Sequence, residues 1–143
     1  MKLIDVNLLI YATNRSCPEY KVARHWLDSL LSGVEPVALP WSVIVSFLRQ
    51  ITGRVVVAKP LASAEALEVV EGWLDREIVT IIGPGTEHAR IFGRLMREHR
   101  VSANLVNDAH LAALAIEHGA ELCSADGDFS RFKHLRWTNP LAA

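Results

Sequence analysis

The stretch Lys2-Leu3-Ile4-Asp5-Val6-Asn7 opens the chain with an apolar run that a carboxylate interrupts. The run predicts a buried first strand over residues 2–6. An acid in a buried strand loses its hydration, so Asp5 needs a compensating partner and a reason to be there. The same carboxylate argues against a signal-peptide core at this point.

Beyond this strand, short strand-like runs alternate with helical segments, which is typical of a mainly parallel sheet flanked by helices. The further predicted strands cover residues 37–39, 78–82, 121–124 and 135–137. The predicted helices cover residues 7–13, 19–31, 41–52, 63–74, 87–99 and 105–118, with Thr86 as the N-cap of the fifth. No repeat or long linker interrupts the pattern, so we expect a single domain over residues 1–143.

Composition limits the classes of function. The formal net charge is −1, so a nucleic acid would have to be held by a local basic patch or through metal ions. Cys17 and Cys123 lie far apart and show no metal-ligand spacing, so we expect free thiols in a reducing compartment. No apolar run reaches the roughly 18 residues of a membrane span, and we expect a cytoplasmic protein with no membrane partner.

Four carboxylates occupy predicted strand ends or a helix start. Asp5 lies near the end of the first strand, and Asp126 and Asp128 directly follow the strand 121–124. Asp108 lies in the first turn of the helix that leads into that strand, and this turn lies at the strand's carboxyl end. Because ligands of open parallel sheets bind beyond the carboxyl ends of the strands, we expect all four acids to meet at one edge.

Such a cluster is unfavourable without a cation, because neighbouring carboxylates repel each other and raise at least one pKa. Mg²⁺ prefers oxygen ligands, and ions held in this way can activate water for phosphodiester cleavage. Each acid alone also has a structural explanation: the helix dipole favours Asp108, and Asp126 and Asp128 suit a turn. Their joint placement favours the metal site.

Three segments resemble the motifs of PIN domains. Asp5-Val6-Asn7 is similar to their opening motif, Asn107-Asp108-Ala109-His110-Leu111-Ala112-Ala113 to their DAxxAA helix, and Ser124-Ala125-Asp126-Gly127-Asp128-Phe129 to their closing (S/T)xDxDF motif. More narrowly, residues 46–52 and the ending 132–141 resemble the VapC toxins of bacterial VapBC toxin–antitoxin pairs, in a subgroup common in mycobacteria.

The resemblance implies a PIN-like three-layer α/β fold and a Mg²⁺- or Mn²⁺-dependent endoribonuclease toxin. Such enzymes cleave structured RNA, commonly tRNA or ribosomal RNA, through a metal-activated water. Asp5, Asp108 and Asp126 would hold the metal, and together with Asp128 they would form the catalytic set. The implied partners are the RNA substrate, a second copy in a homodimer and a VapB-type antitoxin. The resemblance implies that the complex of toxin and antitoxin binds DNA only through the antitoxin.

The chain departs from the PIN pattern in one place. PIN domains usually carry an acid in the third helix, and the best-matching position here is Ser46, in a segment without any carboxylate. The site then has one acid fewer, which leaves open a catalytically weak or inactive module that binds RNA or protein. A phosphotransfer protein is a third reading, but a phosphatase of that type needs a second Asp where this chain has Asn7.

Other polar residues could contribute to the predicted site. Asn7 and Ser124 could hydrogen-bond an acid or a metal-bound water, although helix capping and an ordinary strand-end hydroxyl also explain them. We interpret His110 as a helix-surface residue. Three arginines on one face of the predicted helix 87–99 could bind RNA phosphates or simply form a solvated face; they are Arg90, Arg94 and Arg97. A second basic cluster could likewise bind RNA phosphates or form a solvated surface; it comprises Arg131, Lys133, His134 and Arg136.

Overall fold

The computed structural model describes residues 1–142, which form five strands and six α-helices in alternation. The strands are β1 (Lys2–Ile4), β2 (Val37–Pro40), β3 (Val79–Ile82), β4 (Glu121–Cys123) and β5 (Trp137–Thr138). The helices are α1 (Val6–Thr13), α2 (Tyr20–Leu31), α3 (Trp41–Ile51), α4 (Ser63–Leu74), α5 (His88–Glu98) and α6 (Leu105–Glu117). A 3₁₀ helix, Gly127–Arg131, lies between β4 and β5.

The five strands form one sheet in the order β3-β2-β1-β4-β5, and every neighbouring pair is parallel. This confirms the predicted fold class. The first strand of the chain is therefore the central strand of the sheet. It pairs with β4, the strand that follows α6. Their register places Ile4 opposite Cys123, so the residues that follow each strand emerge side by side at the carboxyl edge.

The core surrounds this central pair. Leu3, Ile4, Leu122 and Cys123 are all at most 1% exposed, as expected for strands covered on both faces. Helices α1 and α3 pack together, as do α5 and α6. Helix α6 is buried along most of its length with small residues that allow close packing, namely Ala109, Ala112, Ala113 and Ala115.

Three predicted boundaries were wrong. Asp5 does not belong to β1: it is the N-cap of α1 and accepts a hydrogen bond from the Val6 amide. Thr86 does not cap α5, because the Glu117 carboxylate accepts hydrogen bonds from the amides of Gly85 and Glu87, and the helix begins only after them. The last strand covers residues 137–138 and not 135–137.

Two further features of the structure are the state of the cysteines and the character of the helices. Cys17 and Cys123 are free thiols, as predicted. Among residues 1–142, none of the helices combines the length and the apolar character that a membrane span requires.

Candidate active site

The β1–β4 register builds the first part of the site. Because Ile4 pairs with Cys123, Asp5 and Ser124 follow at neighbouring positions, and the Asp5 amide donates to the Cys123 carbonyl at 2.9 Å. The Ser124 hydroxyl is completely buried and donates to Oδ2 of Asp5 at 2.7 Å. A hydroxyl at this strand end thus provides the partner that the half-buried carboxylate needs.

Asn7 links the two strand ends. Its Nδ2 donates to Oγ of Ser124 at 3.1 Å and lies 3.4 Å from Oδ2 of Asp5, while its Oδ1 accepts from the Ala125 amide at 3.3 Å. The N-cap of α1 is Asp5, so capping does not explain Asn7. The side chain of Asn7 instead fixes the position of Asp5 relative to β4.

Asp126 and Asp128 occupy the turn after β4. The Asp126 amide donates to Oγ of Ser124 at 3.0 Å, and its carboxylate caps the 3₁₀ helix by accepting from the Asp128 amide at 2.9 Å. Asp128 is more exposed and pairs with Arg131 at 3.4 Å. The turn-forming reading of the sequence is therefore correct for Asp126, and it is compatible with a second role.

Asp108 completes the cluster from the first turn of α6. Asp108, Asp126 and Asp128 each offer a carboxylate oxygen within 4.8 Å of the others. Burial, and after it the negative charges of Asp126, Asp5 and Asp128, raise the pKa of Asp108 to about 6. Burial likewise raises the pKa of Asp5, although the hydrogen bond from Ser124 opposes the rise.

The donor set fits a hard divalent cation. All of the converging groups are carboxylates, and their mutual repulsion is what a cation would relieve. Within residues 1–142, the side chains that come close enough to share a cation are those of Asp108, Asp126 and Asp128. Asp5 is not one of these three, but it lines the same cleft as Asp108, and the Ser124 hydroxyl that donates to it also accepts from the Asp126 amide.

A cleft of about 450 Å³ opens in front of the acids. Its lining includes Asp5, Asp108 and the α3 residues Ser46 and Arg49. Ser46, where the resemblance expects an acid, therefore does face the cleft; its Oγ accepts a hydrogen bond from Nε2 of Gln50 at 2.9 Å. The α3 residues that line the cleft include no carboxylate.

His110 is not the surface residue that the sequence suggested. It is half-buried, lines the cleft, and lies with its Nδ1 3.0 Å from Nε2 of His88 on α5. Burial and the nearby His88 ring lower the pKa of His110, which favours its neutral form. Sequence reasoning missed His88, because nothing in the local pattern of α5 shows which residue of α6 it faces.

The predicted basic residues lie outside this cleft. Arg90, Arg94 and Arg97 are exposed on α5 and do not line it, and Arg90 pairs with Glu87 at 2.6 Å. Of the second basic cluster, Arg131 pairs with Asp128 beside the acids. The remaining members are exposed, and Arg136 donates to the Gly119 carbonyl at 2.6 Å.

Comparisons with known proteins agree with this geometry. The PIN domain family matches residues 2–135. Ribonuclease VapC37 of Mycobacterium tuberculosis is 40% identical over 142 residues, which cover 99% of this chain and 99% of that protein. Ribonuclease VapC33 of the same organism is 36% identical over 141 residues, again with 99% of each chain covered.

Solved structures share the fold. VapBC2 from Rickettsia felis, bound to a DNA fragment from their promoter, has a TM-score of 0.72 at 20% identity and covers 96% of this chain and 97% of its own. VapC20 of Mycobacterium tuberculosis, a sarcin-ricin loop cleaving toxin, has a TM-score of 0.66 at 17% identity and covers 95% and 99%. At these identities the structures show a common fold alone.

Proposed function

The chain belongs to the PIN-domain family and to its VapC group, and from this premise we propose that it is a metal-dependent endoribonuclease, the toxin of a toxin–antitoxin pair. The observation that carries the proposal is the convergence of Asp108, Asp126 and Asp128, whose carboxylate oxygens lie within 4.8 Å of one another, next to a cleft that Asp5 and Asp108 line. Two ribonucleases cover nearly the whole chain at 36–40% identity, which supports the same activity here.

The resemblance implies Asp5, Asp108 and Asp126 as ligands of the cation, which we propose to be Mg²⁺ or Mn²⁺. The geometry adds Asp128, whose carboxylate lies within 4.8 Å of those of Asp108 and Asp126, so we propose that the four acids hold the cation together. A divalent cation at this place supplies Lewis-acid activation of water and neutralises charge on a phosphodiester. The chain's own contribution is positional. Ser124 and Asn7 hold Asp5 against β4, and the 3₁₀ helix holds Asp126 and Asp128 at the end of that strand.

The proposed substrate is structured RNA such as tRNA or ribosomal RNA. Among the residues of 1–142 that line the cleft, Arg49 is the one Lys or Arg, and it shares the cleft with Asp5 and Asp108. A backbone phosphate in the cleft would have Arg49 as a positively charged partner in addition to a bound metal. We propose Arg90, Arg94 and Arg97 as further phosphate contacts for RNA that extends past the cleft.

The proposed partners follow from the relatives and from exposed apolar surface. A solved neighbour is a VapBC complex bound to promoter DNA, so we propose a VapB-type antitoxin that alone would bring this chain to DNA. Trp41 and Val45 on α3 are 54% and 57% exposed, which suits burial by a protein partner or by a second copy in a homodimer. We propose that residues 1–143 act as one domain and that the protein acts in the cytoplasm, where its substrate is found.

A direct test is cleavage of purified tRNA and ribosomal RNA by the purified protein with Mg²⁺ or Mn²⁺. EDTA and Asp108→Asn should each abolish cleavage, whereas Glu71→Gln, which removes an exposed charge on α4, should leave it unchanged. Full activity in EDTA would refute the metal requirement. A protein that cleaves neither RNA, and whose toxicity in cells survives Asp5→Ala, would instead be the inactive binding module.

A further inference from the structure

Two histidines from different helices meet at the margin of the cleft. Nε2 of His88 on α5 lies 3.0 Å from Nδ1 of His110 on α6, and the two rings stand edge to face with centroids 4.8 Å apart. The His88 ring also lies parallel to that of Phe92, with centroids 5.9 Å apart. Packing therefore holds His88 in place, and His88 in turn contacts a residue that lines the cleft.

The surroundings of His88 decide which ring donates. Nδ1 of His88 is buried and has no hydrogen-bond partner within residues 1–142. If His110 were the donor, the neutral His88 would carry its proton on Nδ1, where a buried N–H group would have no acceptor. Buried N–H groups without a partner are rarer than buried acceptors without one. The favoured arrangement therefore has the His88 Nε2–H group donating to Nδ1 of His110.

This arrangement also fixes the other side of the His110 ring. With Nδ1 accepting, the neutral ring carries its proton on Nε2, which takes part in no hydrogen bond within residues 1–142. His110 is two residues beyond Asp108 on α6 and lines the same cleft. An N–H donor in the cleft that Asp5 and Asp108 also line can hold a substrate oxygen there.

We propose that His110 binds the RNA substrate by donating a hydrogen bond from Nε2 to a backbone oxygen next to the scissile phosphate, and that His88 is the positioning residue that fixes its tautomer. This inference rests on the proposed ribonuclease function. It adds a contact on α6 that belongs neither to the acids nor to the arginines, and a role for α5 within the site.

Four variants test the pair on whichever of purified tRNA or ribosomal RNA the wild type cleaves with Mn²⁺. His110→Ala and His88→Phe remove the substrate donor and the tautomer-fixing donor. His88→Gln keeps a side-chain donor toward His110, and His25→Ala removes an exposed histidine from α2 as a control. Single-turnover cleavage and RNA affinity in EDTA are measured for each, and thermal unfolding checks that each variant folds.

We expect His110→Ala to lower the product of affinity and cleavage rate about 10- to 100-fold, the loss typical of a hydrogen bond to a charged oxygen. His88→Phe should lower the product by a smaller factor, about two- to tenfold, because the rings that still carry the proton on Nε2 can donate, whereas His88→Gln and His25→Ala should match wild type. In ¹⁵N NMR spectra, His110 should carry its proton on Nε2 in the wild type and in His88→Gln, and show mixed tautomers in His88→Phe.

The outcomes separate the two proposals. A wild type that cleaves no RNA defeats the proposed function before the variants are compared. An active wild type with an equally active His110→Ala overturns the substrate contact, and a proton on Nδ1 of His110 overturns the role of His88. If His110→Ala fails to fold, the contrast between His88→Phe and His88→Gln still decides, because equal cleavage by those two variants contradicts the positioning role.

Discussion

Neutralising Asp108 should stabilise the metal-free protein while it removes activity. Burial and the charges of Asp126, Asp5 and Asp128 raise the pKa of Asp108 from 3.8 to about 6. Such a rise corresponds to roughly 3 kcal/mol at 1.36 kcal/mol for each tenfold change in proton affinity. Because the side chain is half exposed, solvent screening reduces this value, and we expect about 1 to 1.5 kcal/mol.

The sign follows from proton linkage. The folded state binds the proton of Asp108 more tightly than the unfolded state, since the folded pKa is the higher one. Its contribution to the free energy of unfolding is fully present below the unfolded pKa of 3.8 and is lost as the pH rises through about 6. Metal-free wild type should therefore lose stability between pH 4 and pH 7, and Asp108→Asn should lose less.

Thermal unfolding in EDTA at several pH values measures the effect. At pH 7.5, Asp108→Asn should melt roughly 3–5 °C above wild type, and Glu71→Gln should show no such gain. Added Mn²⁺ should raise the melting temperature of the wild type and leave Asp108→Asn nearly unchanged. If Asp108→Asn is no more stable than wild type in EDTA at pH 7.5, the carboxylates do not repel each other as the geometry requires.

Three further predictions concern single positions. Ser124→Ala removes a hydroxyl that makes three hydrogen bonds and should lower the free energy of unfolding by about 2 kcal/mol in urea titrations. The control Ser130→Ala, at an exposed serine, should change it little, and equal stabilities of the two variants would contradict the hydrogen-bond network. Ser46→Glu adds a carboxylate to the cleft and should add a second, weaker Mn²⁺ equivalent in calorimetric titrations, so an unchanged titration would show that this position does not reach a cation. Gly119→Ala should lower the free energy of unfolding by about 1 kcal/mol, because Gly119 has a φ of 65°, whereas Gly72→Ala within α4 should raise it by about 0.5–1 kcal/mol, because no atom lies within 4 Å of the added methyl group. A change of the same sign in both variants would contradict this conformational argument.

The sequence was sufficient for the fold and for the acids because both depend on local patterns and simple topology. Alternating strand and helix signals predicted the parallel sheet, and a parallel sheet gathers strand ends at one edge. That rule alone placed Asp5 and Asp126 together across 121 residues of chain. Element bounds were less accurate, since the start of α5 depends on Glu117, a residue 30 positions away from the amide of Glu87.

The rest of the site depends on contacts that no local pattern contains. His88 and Arg49 belong to helices whose faces toward the cleft follow from helix packing, and a spacing rule within one helix does not give the partner helix. His110 was assigned to the surface because a histidine on a helix is usually exposed, and the sequence does not show the contact with His88. Structure was needed to bring His88 and His110 together, 22 residues apart, and to place Arg49 in the same cleft as Asp5 and Asp108.

The absence of an acid from α3 changes the charge of the residues that line the cleft. With a carboxylate at position 46, a further acid would line the cleft and would add to the repulsion of an RNA backbone. With Ser46 hydrogen-bonded to Gln50, and with Arg49 on the same helix, the part of the cleft that α3 lines carries no negative charge and one positive charge. Among the described residues, the acids that line the cleft are then Asp5 and Asp108 alone, so less charge opposes a phosphate there and Arg49 attracts it.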